Sequence, residues 1–141
     1  MEVFITVITG TLVYVLSQLL SKFIIDPIQK FKEVIGNIAS AISYYGREYT
    51  SLGAMPKEKI NEAHETFRSL SGELQTRVLL IPYYNFWAKL HFVPKVDIVA
   101  AATKSLIFLS NVVQMKPDQA PDLEKILTNE TAIKALYLKQ K

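Results

Sequence analysis

Two histidines, His64 and His91, are the imidazoles available for acid–base work or metal binding. His64 stands beside Glu65. A helical zinc-protease motif needs a second histidine on the same face, and none is there. A surface histidine beside a glutamate is the simpler reading. The chain has no cysteine, which excludes disulfides, thiol catalysis and cysteine-ligated zinc and fits a reducing compartment. It has no glycine-rich phosphate loop and no Gly-x-Ser-x-Gly. Glu62, Glu65 and Glu73 have matching basic neighbours and read as surface charges, not as a carboxylate pair. We therefore expect no enzyme, no cofactor and no metal. One constellation remains. Lys89, Lys95 and Lys104, with Asp97 as the one nearby acid, form a local basic excess. With Tyr83, Tyr84 and Trp87 they could contact RNA or anionic lipid. The net charge of +3 is too mild to argue for nucleic acid by itself.

The elements that carry these residues follow from the hydropathy pattern. A chain of 141 residues has room for one small domain. Its apolar excess is concentrated at the start. Val3 to Ile25 is a run of 23 residues whose one charge, Lys22, lies near its end. As a helix it spans roughly 34 Å, against a hydrocarbon core of about 30 Å. Fourteen of these residues are Val, Ile, Leu or Phe. Together they contribute roughly −4 to −8 kcal/mol toward insertion, and Lys22 can snorkel to the interface. The competing reading is a cleavable signal peptide. That would need a basic start, a shorter apolar run and a cleavage site close behind. The chain begins Met-Glu, and Ala39–Ala41 lies beyond four charged residues. Lys22, Lys30 and Lys32 follow the run and no basic residue precedes it. The positive-inside rule then places the remainder in the cytoplasm. On that side the sequon at Asn129 is not used.

Within the apolar run, Thr6, Gly10, Ser17 and Ser21 fall in one stripe at about 100° per residue. Small residues at this spacing let helix backbones approach one another in a bilayer, or line the lumen of a ring of helices. They are also common in membrane helices without any role.

Asp26-Pro27-Ile28-Gln29 reads as a helix start, with Asp26 as cap, Pro27 in the first turn and Gln29 completing a capping box. The chain is expected to kink there. The helix that follows carries a three-heptad apolar seam: Ile28, Phe31, Ile35, Ile38, Ile42, Tyr45 and Tyr49. Its partner is either a later helix of the same chain or the same helix of another copy. Ser51–Pro56 reads as a turn, and an amphipathic helix is expected over 57–80 with an apolar line of Ile60, Ala63, Phe67, Leu70, Leu74, Val78 and Ile81. Pro82 ends it. The aromatic stretch Tyr83–Phe92 is either a short helix in the headgroup layer or a plug in the core. A buried helix is expected over 95–114, with Ala100, Ala101 and Ala102 as a close-packing face. Lys104 and Asp97 argue against a second span there. A Pro-bounded loop over 116–121 and two short helices over 123–127 and 130–138 complete the chain. Nothing alternates with period two, so the fold class expected is all-α: a transmembrane anchor helix over 1–26, then a cytoplasmic helical bundle over 27–141.

The stretches Ile25-Asp26-Pro27-Ile28, Phe67-Arg68-Ser69-Leu70, Ile81-Pro82-Tyr83-Tyr84 and Leu106-Ile107-Phe108-Leu109-Ser110-Asn111 resemble a group of small single-span bacterial membrane proteins. The layout is similar to the membrane accessory protein of type VI-B CRISPR systems. That resemblance implies a self-assembling inner-membrane protein, a pore and a role in antiviral defence beside another defence-system protein. The same family is described with an Arg followed four to six residues later by His, as in HEPN ribonucleases. Arg47, Arg68 and Arg77 have no His at that distance, so no ribonuclease role is implied. The leading expectation is a homo-oligomer in the lipid bilayer, joined through the small-residue stripe and the seam. The alternative is a monomeric anchored module that holds a cytoplasmic partner or ligand.

Overall fold

A computed structural model describes residues 1–51, 53 and 55–138. Every regular element in it is helical: α1 (Glu2–Leu20), a π-helical turn (Ser21–Ile25), α2 (Asp26–Thr50), α3 (Lys57–Leu80), α4 (Tyr84–Lys89), α5 (Val96–Val112), a 3-10 turn (Pro117–Gln119) and α6 (Leu123–Leu138). Leu52 and Ala54 of the expected turn lie outside the described residues.

The separate helix start expected at Asp26-Pro27 is absent. α1 and α2 join into one continuous helix through residue 47. Asp26 has helical dihedrals, and no side chain caps the start of α2. Proline in a helix interior lacks its N–H, and its ring collides with the carbonyl four residues back. The sequence meets that problem with a wide turn just upstream, where the Asp26 N–H bonds Ser21 O. The extra residue in that turn rotates everything beyond it by about 100° relative to an unbroken α-helix.

α2 and α3 run antiparallel, as do α5 and α6. α3 packs on both α2 and α5, and α6 packs on α5 and α2. The core lies between these four helices. Phe31, Ile38, Tyr49, Phe67, Leu74, Leu106, Leu109, Ile133 and Leu136 are completely enclosed. Removing each from water contributes about 1.5–3 kcal/mol. His64, expected on the surface, is half-buried and donates from Nδ1 to Ser110 O at 2.7 Å. It ties α3 to α5 where their apolar lines end. Of the three alanines expected to form a close-packing face, Ala102 alone is buried. Consecutive helical positions are about 100° apart and cannot share a face. The two short C-terminal helices are a single helix, α6. No Gly or Pro interrupts it, and Thr128 Oγ1 and Asn129 Nδ2 donate to the carbonyls of Glu124 and Lys125 within the helix.

Two turns hold their backbones in the left-handed region by different means. Gly53 has φ +95°, and a Cβ there would stand 2.8 Å from Pro117 Cγ. His91 has φ +63°, and its N–H and that of Phe92 bond Ala88 O and Trp87 O at the end of α4. That pairing is a Schellman turn with histidine where glycine is preferred. Opposite effects on stability follow. Gly53→Ala is expected to cost at least about 1–2 kcal/mol, and His91→Gly to add about 1 kcal/mol. Thermal denaturation measures both, and a lower melting temperature for His91→Gly would contradict this account.

Candidate functional site

The seam of α2 is closed by its own chain. Phe31, Ile35, Ile38, Ile42, Tyr45 and Tyr49 are buried, and Ile28 packs at the margin of the same core. Val34 and Ala41 join them. The two tyrosines are fixed by charge-assisted hydrogen bonds. Tyr45 Oη donates to Glu62 Oε1 at 3.0 Å on α3, and Tyr49 Oη donates to Glu130 Oε2 at 2.8 Å on α6. Lys134 pairs with Glu130, and that hydrogen bond raises the lysine pKa. Burial raises the pKa of Tyr45 as well. Of the two partners open to this seam, later helices of the same chain are the ones that cover it here. Its apolar surface and its hydroxyls are spent inside one molecule.

α1 is the opposite case. No residue of it is buried, and it is long and apolar enough to cross a membrane. A contiguous apolar surface of this extent marks a protein or membrane contact. Thr6, Gly10 and Ser17 lie on the exposed surface, and Ser21 is half-buried at the π turn. Thr6 Oγ1 donates to Glu2 O and Ser17 Oγ to Val13 O, both within the helix. The stripe thus presents satisfied hydroxyls and a shallow notch at Gly10, bordered by Ile5, Thr6, Thr9 and Val13.

The aromatic stretch divides between core and surface. Tyr84 is buried, meets Phe31 edge-on with centroids 5.9 Å apart, and donates to Pro94 O at 2.7 Å. Trp87 is half-buried and donates from Nε1 to Pro82 O at 3.0 Å. Its ring packs edge-on against Phe86 and Phe92. Tyr83 faces outward at 86 % exposure, because its left-handed backbone (φ 54°) turns it away from the core. Leu79 is 84 % exposed, and Leu80 and Phe86 are exposed with it. The contact with Phe31 sets this corner beside the start of α2, next to the end of the candidate span. The leucines escape a reading of the sequence that follows the aromatics alone. Their signal is that they fall just past the last buried turn of α3.

Lys89, Lys95 and Lys104 are exposed, and Lys95 and Lys104 line different grooves. Lys95 borders a groove with Ala88, His91, Pro94 and Ala135. Lys104 borders another, of about 380 Å³ between α3 and α5, with Gln75, Val78, Leu79, Val96 and Ile107. Among the described residues no group of three or more His, Asp or Glu side chains is placed to hold a metal ion. No protein-family model, curated protein or solved structure matches the chain.

The enclosed Tyr84 hydroxyl predicts a pH dependence. Burial raises its pKa, so the unfolded chain loses that proton first. The stabilisation is complete below about pH 10 and falls as the pH rises beyond it toward the folded value. Tyr84→Phe is expected to cost about 1 kcal/mol at neutral pH through the lost hydrogen bond and to weaken the decline in alkali. Denaturant titrations at neutral pH and above pH 10 measure both effects. An alkaline slope unchanged by the substitution would contradict this assignment.

Proposed function

We propose that this chain is a membrane-anchored helical module, with α1 crossing a bacterial inner membrane once and residues 27–141 held on its cytoplasmic face. One contrast carries the reading: α1 buries nothing, while the seam of α2 from Phe31 to Tyr49 is buried against later helices of the same chain. A domain completed within one molecule needs no second copy to fold. It is free to hold something else at the membrane surface. The groove between α3 and α5 suits an amphipathic partner helix. Val78, Leu79, Val96 and Ile107 would take its apolar face, and Lys104 would meet an acidic side chain at the rim.

The cysteine-free sequence makes the topology simple to test. Single cysteines at Glu2 and at Glu58 are introduced separately and labelled in intact cells with a membrane-impermeant maleimide. Labelling of Glu2→Cys alone, with the protein resistant to alkaline extraction, is the expected outcome. Release by alkali would remove the anchor, and labelling at position 58 would reverse the orientation.

A second reading is favoured by the notch at Gly10. Copies of the span could associate there through Thr6, Gly10 and Ser17 without engaging the seam. In the type VI-B likeness that assembly would be a pore that depolarises the membrane during infection. Gly10→Leu/Ser17→Leu would fill the notch. Light scattering coupled to size exclusion of the full chain in detergent decides between the readings. A monomer is expected for the anchored module. A single high-order species that the double substitution dissociates would establish assembly instead.

A further inference from the structure

Three basic side chains from two helices converge where the candidate span passes into the helical domain. Lys22 and Lys30 stand on the long helix on either side of Asp26. Arg77 reaches them from the last turns of α3, which returns antiparallel to the same level. With Asp26, Pro27 and Leu80 they line a groove of about 210 Å³. The charges in the groove do not balance. Arg77 Nη2 lies 3.5 Å from Glu73 Oε1. Among the described residues, Lys22, Lys30 and Asp26 take part in no ion pair. The Nε–H of Arg77 is enclosed and has no acceptor. That nitrogen is sealed from solvent, so an outside acceptor would meet Arg77 at the exposed part of its guanidinium; two lysines and an arginine against one aspartate leave the groove lining net positive.

The surroundings select the source of the acceptor. Exposed Phe23 and Ile25 continue the apolar span on one side of the groove. Exposed Leu80 lines it on the other. A small soluble anion would gain nothing from these side chains, whereas an amphiphile would use both halves of the site. We infer that this groove binds the phosphate of an anionic phospholipid, with Arg77, Lys30 and Lys22 on the headgroup and the acyl chains lying along Phe23 and Leu80. Arginine offers a planar fork to phosphate oxygens, and the lysines add point charge. A zwitterionic lipid brings its own ammonium group and does not answer the excess. The inference rests on the reading of α1 as a membrane span.

The test uses the full chain in nanodiscs of phosphatidylcholine doped with phosphatidylglycerol, followed by native mass spectrometry of the lipids that stay bound. One phosphatidylglycerol retained per chain is expected, at the expense of phosphatidylcholine. Lys30→Gln/Arg77→Gln is expected to weaken that retention about 30-fold, the loss that two basic residues produce at an anionic surface. Lys57→Gln/Lys59→Gln removes the same charge from the opposite end of α3 and should leave retention unchanged. Circular dichroism of both variants checks that the helices are intact. Equal loss in the two variants would reduce the effect to general electrostatics and overturn the site. Displacement of the lipid by millimolar inorganic phosphate would overturn the lipid assignment in favour of a soluble anion. A chain that embeds in the nanodisc yet shows no lipid preference sinks this site alone. A chain that does not embed at all sinks the membrane reading with it.

Discussion

The packing of α3 and α6 over one face of α2 determines the rest of the molecule. Phe31, Ile38 and Tyr49 can be dry only if both neighbours are in place, and their hydroxyl-bearing members reach carboxylates on different helices. Tyr45 takes Glu62 from α3, while Tyr49 takes Glu130 from α6. These bonds join residues far apart in the chain and thereby set the register of α3 and α6 against α2. α4 then has one place to go, beneath Phe31, where Tyr84 closes the end of the core.

The same helix must also serve a second environment. Residues 2–20 show an all-round apolar surface, while residues 26–50 show one apolar face. An unbroken α-helix would carry the stripe at Thr6, Gly10 and Ser17 onto the side where the seam lies, since both repeat near 3.6 residues. The π-helical turn at Ser21–Ile25 breaks that alignment by about a quarter turn. The small-residue stripe is therefore not an extension of the seam. The two surfaces are independent, which is why burial of one says nothing about use of the other.

Much of the fold was legible in the residues. The limits of α3, the break at Pro82 and the seam of α2 follow from apolar spacing and from proline, both of which act locally. What stayed hidden depended on alternatives of similar energy. Asp26-Pro27-Ile28-Gln29 satisfies the rules for a helix start, and only the wide turn before it shows how a helix can run through. His64 looked like a solvent-facing residue because its acceptor, Ser110 O, lies 46 positions away. The aromatic stretch offered a core reading and a surface reading, and each is right for different residues. Tyr84 goes inward and Tyr83 outward, since one left-handed backbone position separates their directions. The basic groove escaped notice for a similar reason. Lys22, Lys30 and Arg77 meet only because α3 returns to the level where it ends.

A continuous helix is also a lever. From Glu2 to Arg47 it covers 46 residues, close to 70 Å at about 1.5 Å per residue. The part beyond the π turn is about 37 Å long by the same rise and is gripped along its length by α3 and α6. If the two halves keep one axis through the π turn, the domain leans with the lower half. A span that tilts by about 20° to match a thinner bilayer would carry the far end of α2 sideways by roughly 13 Å at that length. On the reading of α1 as a membrane span, the thickness of the surrounding lipid would in this way be converted into the position of the loop near Gly53 and Pro117, beyond the end of α2.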